Sequence, residues 1–217
     1  GDIDGTFVTE FEKVVVGSNT FDYEDYIHLR HHSFMYYAVY SLRYFRWFFH
    51  TLRNFDISTS KFYDAFLFPD KKYSWPEPYL QFLKDLKIGL EGELYETAED
   101  LKNDIKKKYR ENNNEVVAPT RLNTLFGGRL IYMEQSWVKQ VLEMHLNNFG
   151  IDSKSIHWKT IQEVINLCLK ERVNLRNQAG TEPMISMYDY VSWKEQKFRL
   201  PLEKFKLAEP IKIEFSL

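Results

Sequence analysis

The sequence has one cysteine, few glycines and prolines, and no large excess of either charge. Because Cys168 has no second cysteine to pair with, an internal disulfide is excluded, and so is a metal site built from several cysteines of this chain. This cysteine content favours a reduced, cytoplasmic setting. The 29 basic and 31 acidic residues give a net charge of −2. This near-balance removes the electrostatic basis for non-specific nucleic-acid binding, so we expect no nucleic-acid partner.

The chain does have enough length and apolar content for a core. Its 217 residues are 44 % hydrophobic and 17 % aromatic, a composition typical of a globular protein. We see no linker or repeat, and therefore predict a single domain over residues 1–217. The sequence begins with Gly1 rather than Met, and we expect it to be an excised part of a larger protein.

The most unusual segment is HLRHHSFMYYAVYSLRYFRWFFH, residues 28–50. Residues 33–52 are about as long as a membrane-spanning helix, but Arg43 and Arg46 would lie near its centre, where each costs roughly 2.5–3.5 kcal/mol on insertion scales. We therefore expect no membrane span. A helix that is apolar on nearly every side is normally surrounded by protein, and the pattern predicts one buried aromatic helix over residues 23–53.

The remaining patterns predict a mainly α (α+β) fold, in which a multi-helix body surrounds this long helix. Strands near both termini are expected to pair into a small antiparallel sheet. In the first half of the chain we predict a strand over 7–16, an N-cap at Asp22 with Asp25 at N3, a helix ended by Pro69, and a helix that starts in a capping box from Ser74 to Glu77 and is broken or bent at Gly89 and Gly92. The next predictions are an amphipathic helix with Asp104 and Lys108 paired, a glycine turn at FGGR (126–129), and helices over 134–148 and 158–177 that end near Gly150 and Gly180. The last predicted elements are strands in MISMYDYVS and IKIEFSL.

One candidate metal site lies at the start of the long helix. Glu24, His28 and His32 are four residues apart in turn and share a helix face, with His31 close by. Imidazoles at this spacing can hold one metal ion, although a further ligand from outside the helix would be needed. The alternative is that these histidines bond to neighbouring carboxylates without a metal.

Arg43 and Arg46, with Tyr40 nearby, are the candidate ligand-binding residues. We expect both arginines to be buried among aromatic rings, where an unpaired charge is costly and a guanidinium can stack on a ring. Each must then find a carboxylate or an anionic ligand. Two interpretations stay open: a structural ion pair, or an anion site for a substrate or partner domain. Cys168 is expected to be a packed core thiol, and the sequence indicates no catalytic residue.

The order of features in FEKVVVGSNTFDYEDYIHLRHHSFMYYAVYSLRYFRWFF, in FGGRLIYMEQSWVKQVLEM and in MISMYDYV resembles the C-terminal region of cobalamin-binding radical S-adenosylmethionine proteins. The resemblance covers most of the chain and implies a non-catalytic accessory domain that caps the catalytic barrel or shapes its substrate pocket. Its partners would be the upstream catalytic domains of the same polypeptide. Those upstream domains of the parent enzyme would bind its iron–sulfur cluster, S-adenosylmethionine and cobalamin. This chain has one cysteine, so it cannot supply the C-x3-C-x2-C motif.

Two hypotheses compete with the accessory domain. A stand-alone helical protein could bind a small anionic ligand near Arg43 and Arg46, between helices. A metal-dependent hydrolase could instead use Glu24, His28 and His32. Whether this chain is itself an enzyme stays open at this point.

Overall fold

The structure is a computed structural model that describes residues 2–3, 6–7, 12–111, 121–132, 135–174 and 183–214. The α-helices in this part of the chain are α1 (Tyr23–Tyr36), α2 (Arg46–Leu52), α3 (Thr59–Leu67), α4 (Glu77–Glu91), α5 (Ala98–Glu111), α6 (Leu122–Tyr132), α7 (Gln135–Asn148), α8 (Trp158–Asn174) and α9 (Tyr190–Glu195). The strands are β1 (Asp2–Ile3), β2 (Thr6–Phe7), β3 (Met184–Tyr188) and β4 (Lys206–Ile213). The predicted mainly helical class with a small antiparallel sheet is confirmed.

The C-terminal strands follow the predicted alternation. β3 and β4 pair antiparallel, with Met184 opposite Ile213. Met184, Ser186 and Tyr188 are buried, whereas Ile185 between them is exposed. Because successive side chains of a strand point to opposite faces, this pattern places one face of β3 against the helical body.

The N-terminal strands form their own pair, β1 with β2. The strand predicted over residues 7–16 coincides with β2 only at its first residue, and residues 12–16 are in no strand. Residues 8–11 lie outside the described part of the chain, as do Phe215 and Leu217 of the predicted C-terminal strand.

Helix ends were predicted with mixed success. The capping box at α1 is confirmed: the Asp22 carboxylate accepts from the Asp25 amide at 2.9 Å, and the Asp25 carboxylate accepts from the Asp22 amide at 3.1 Å. α3 ends before Pro69, as predicted. The prediction of a capping box at Ser74 is wrong, because α4 begins later, with Pro76 as its N-cap. A proline disfavours helical backbone in the residue before it, which delays the start of this helix.

The segment over residues 23–53 is interrupted rather than forming one helix. α1 gives way to a π-helical turn at Tyr37–Ser41, where the amide of Leu42 donates to the carbonyl of Tyr37 at 3.1 Å. Arg43 and Phe45 then adopt left-handed backbone, with φ of 58° and 51°. Each left-handed non-glycine residue costs roughly 1–2 kcal/mol. Such strain and π-helical turns are both common at functional sites.

The two halves of this segment differ in burial. α2 packs against α8, and its Phe48 and Leu52 are almost completely buried. α1, by contrast, keeps an exposed face that includes Leu29 and Tyr36, which are 62 % and 61 % exposed. The predicted buried helix is therefore found in α2 but only on one side of α1. Among the described helices, none combines the length and apolarity needed to cross a membrane.

Gly89, predicted to break or bend a helix, and Gly127, predicted to lie in a turn, instead allow other parts of the chain to pack closely against their helices. The turn predicted at residues 126–129 is wrong, because these residues lie inside α6. A Cβ on Gly127 would come within 2.7 Å of Leu42 Cδ1. Gly89 likewise lies inside α4, where a Cβ would approach Leu122 Cδ1 to 2.8 Å. The missing side chains, rather than backbone freedom, explain glycine at both positions.

The other helices agree with their patterns. α7 is followed by Gly150 in left-handed backbone, with φ of 82°, as a helix-ending glycine predicts. α8 begins where the predicted helix 158–177 begins, but Gly180 lies outside the described residues. On α5, Lys108 Nζ lies 2.6 Å from Asp104 Oδ2, which confirms the predicted pair.

Candidate anion-binding pocket

A pocket of about 180 Å³ lies where α1 and α2 are separated. All three sequence candidates, Tyr40, Arg43 and Arg46, line it. His50 and Arg53 line it as well. Residues 46, 50 and 53 follow helical spacing, so they face the same side of the segment. The spacing is visible in the sequence, and it was the signal that could have identified His50 and Arg53.

Arg46 is held in place by a carboxylate of α8. Its Nη2 donates to Glu171 Oε1 at 3.1 Å, and its guanidinium lies 4.8 Å from the centre of the Trp47 ring. The indole Nε1 of Trp47 donates to the other oxygen of Glu171 at 2.6 Å. The predicted structural ion pair is thus present at Arg46. Its Nε nevertheless is buried without a hydrogen-bond partner among the described residues.

Arg43 and Arg53 are positioned differently from Arg46. Both are exposed, so the expected burial of Arg43 is wrong. The reason is the break in the helix, because the left-handed residues turn this position outward. Within the described part of the chain, neither guanidinium forms an ion pair with a carboxylate. Among the described residues, no carboxylate therefore pairs with these two positive charges at the pocket.

His50 adds a neutral imidazole to the pocket lining. Its ring stacks on Phe198, with 3.7 Å between centroids and 11° between planes. Burial, followed by the charges of Arg53 and Arg46, lowers the pKa of His50 to about 4. Its Nδ1 is buried without a hydrogen-bond partner among the described residues.

The walls of the pocket are aromatic, and one helix begins there. Phe49 and Phe198 supply apolar surface. Thr59, the first residue of α3, also lines the pocket, and the Ser58 side chain does not cap this helix. The positive end of a helix dipole favours nearby anions. The described lining residues include no carboxylate, so charge and dipole act in the same direction.

The histidine candidates lie on α1, apart from this pocket. His28 and His32 are brought together with Asp64 of α3. Glu24 is not in that group, and its carboxylate lies 3.8 Å from Lys87 Nζ. Asp64 could not have been found from the sequence, because no local pattern links it to α1. Cys168 is buried in α8, as predicted for a core thiol.

No protein-family model matches the chain, and neither a curated protein nor a solved structure shows significant similarity to it. The resemblance to cobalamin-binding radical S-adenosylmethionine proteins, with its implied cofactors and catalytic partner domains, therefore stays a prediction.

Proposed function

We propose that this chain binds a small anionic ligand, carrying a phosphate or carboxylate group, in the pocket between α1 and α2. The observation that carries the proposal is that three arginines meet at a pocket whose described lining residues include no carboxylate. Arginine suits this role because its planar fork of donors matches the oxygens of phosphate and carboxylate groups.

The ion pair with Glu171 supports binding rather than preventing it. The carboxylate accepts from Nη2 of Arg46 and holds the guanidinium at the pocket wall. Because Arg46 is also stacked on Trp47, its side chain is ordered before the ligand arrives. A preorganised donor loses less conformational entropy on binding, which increases affinity.

The size of the pocket limits the ligand. Pockets for drug-sized ligands occupy roughly 300–1,000 Å³, whereas this one has about 180 Å³. The pocket therefore fits a small anion, or the anionic end of a larger molecule. The aromatic surface of Phe49 and Phe198 would contact the carbon skeleton next to the charged group.

Calorimetric titration with inorganic phosphate, glycerol 3-phosphate and citrate tests the proposal. Arg43→Gln and Arg53→Gln should each weaken binding of the best probe by roughly ten- to a hundredfold, which corresponds to the loss of about one charge-assisted hydrogen bond. Both arginines are exposed, so these variants should fold. Arg110→Gln, on the exposed surface of α5, makes the same charge change away from the pocket and should leave affinity unchanged.

Two results would refute the proposal. One is the absence of heat and of any thermal shift with all three probes at millimolar concentration. The other is equal weakening by Arg110→Gln and by the pocket variants, since that would indicate only a general effect of net charge.

A second proposal is that the chain is the accessory domain implied by the resemblance, with the upstream catalytic domains as its partner. The favouring observation is a stripe of exposed apolar residues, Leu29, Tyr36 and Tyr40, at helical spacing on α1 and the turn after it. A neighbouring domain would cover this stripe. Reading the gene upstream of Gly1 tests the proposal: an open frame encoding C-x3-C-x2-C supports it, and an adjacent start codon removes it.

A further inference from the structure

We propose that His28, His32 and Asp64 form a second site, which binds one Zn²⁺ ion between α1 and α3. The site shares no residue with the arginine pocket, so it does not depend on the function proposed above. Two imidazoles and one carboxylate are a ligand set that zinc accepts in proteins.

The three ligand atoms already converge. They lie within 4.8 Å of one another. His28 Nε2 is 3.4 Å and His32 Nε2 is 2.7 Å from the same oxygen, Asp64 Oδ1. In a tetrahedral zinc site with bonds of about 2.0–2.1 Å, ligand atoms are about 3.3 Å apart. The His28 distance fits this geometry, and the His32 distance must open by about 0.6 Å. The two imidazole nitrogens, within 4.8 Å of each other, must approach by up to about 1.5 Å, and rotation of the exposed His28 side chain can supply this movement.

Aromatic stacking holds the two imidazoles in this orientation. The His28 ring is nearly parallel to Phe68, with 4.3 Å between centroids and 7° between planes. The His32 ring stacks on His28 at 5.0 Å. Both rings therefore present Nε2 to the same carboxylate before any ion binds. Ligands oriented by their own packing are the ordinary requirement for a precise metal site.

The neighbouring candidates do not complete the site. His31 is buried, and its Nδ1 lies 2.8 Å from the carbonyl oxygen of Ile27. Glu24 is close to Lys87 instead. The His28 and Asp64 side chains are 48 % and 53 % exposed, so water can reach a fourth coordination position. A three-ligand zinc site with one open position is the type found in catalytic rather than purely structural centres.

Titration of metal-free protein with Zn²⁺, followed by elemental analysis after dialysis, tests the proposal. The wild type should retain one zinc per chain. His28→Ala, His32→Ala and Asp64→Asn should each lower the affinity at least tenfold. All three side chains lie at the surface, and circular dichroism of the metal-free variants should show the wild-type unfolding midpoint within a few degrees.

His157→Ala is the matched control. His157 also approaches a carboxylate, with 3.3 Å from Nδ1 to Glu203 Oε1, but no second imidazole joins that pair within the described residues. This variant should bind zinc as the wild type does. Retention of stoichiometric zinc by the double variant His28→Ala/His32→Ala would overturn the proposal, as would wild-type protein that retains no zinc after dialysis.

Discussion

The stability of this protein should depend on pH through one buried histidine. His145 of α7 is 1 % exposed and lies in a cluster of aromatic rings. Its ring stacks on Trp75 with 4.4 Å between centroids, and its Nε2 lies 3.2 Å from the hydroxyl oxygen of Tyr79. That hydroxyl donates to the carbonyl of Phe66. Burial lowers the pKa of His145 to about 4, so the folded protein keeps this imidazole neutral at neutral pH.

The direction of the effect follows from proton binding in the two states. In the unfolded chain the pKa of a histidine is about 6.5, so between pH 6.5 and 4 the unfolded state binds a proton that the folded state does not. The free energy of unfolding therefore falls as the pH is lowered through this window. With a pKa of about 4 for folded His145, the loss between pH 7 and 4.5 is about 2.5 kcal/mol.

Urea unfolding at pH 7 and 4.5 measures this contribution when His145→Gln is compared with the wild type. The variant should be less stable at pH 7 but lose about 2.5 kcal/mol less on acidification. His50, whose pKa is also lowered to about 4, is present in both proteins, so its effect cancels. Phe62→Leu, in the same aromatic cluster, should reduce stability equally at both pH values. An equal loss on acidification in wild type and His145→Gln would refute the reasoning.

Three further predictions concern packing, capping and the ion pair at the pocket. Gly89→Ala should destabilise the protein by about 1–2 kcal/mol, because the new Cβ meets side chains of α6. Gly128→Ala, which has open space around the new Cβ, should stabilise it by about 0.5–1 kcal/mol, and thermal unfolding measures both changes. Asp22→Ala should cost about 1 kcal/mol in the same assay, through loss of the α1 cap. Glu171→Gln weakens the bond that holds Arg46 in place, so it should weaken phosphate binding several-fold by calorimetry and lower the unfolding midpoint.

The elements that could be predicted from the sequence are those with local causes. The cap at Asp22 depends only on Asp25, three residues later in the sequence. Buried and exposed residues alternate along β3 because one face of the strand is buried. The break after α1 has no such local signal, since Arg43 and Phe45 are not residues that normally adopt left-handed backbone. Packing of Leu42 against Gly127 of α6 accompanies the break, and this contact joins residues far apart in sequence.

The same distinction applies to the two candidate sites. Arg43 and Arg46 were found because charges inside an aromatic segment are unusual, and His50 and Arg53 could have been found from helical spacing. Phe198 and Asp64 belong to segments with no sequence relation to α1 or α2, so only the folded chain brings them in. The sequence therefore predicted one helical side of each site and missed the opposite side.

The distribution of backbone strain bears on the proposed anion pocket. Five non-glycine residues of the described chain have positive φ, and Arg43 and Phe198 among them line the pocket, while Phe45 and Lys197 are close in sequence to these two. Each costs roughly 1–2 kcal/mol, and an unbroken helix through residues 42–45 would avoid part of that cost. The break separates α1 from α2 at the point where the arginine side chains meet. At Phe198 the left-handed backbone ends α9, where the Phe198 amide donates to the carbonyl of Trp193 at 3.1 Å, so this wall of the pocket is fixed by helix termination. At Arg43 no glycine accommodates the left-handed backbone, and the strain there is the part that an anion site would explain.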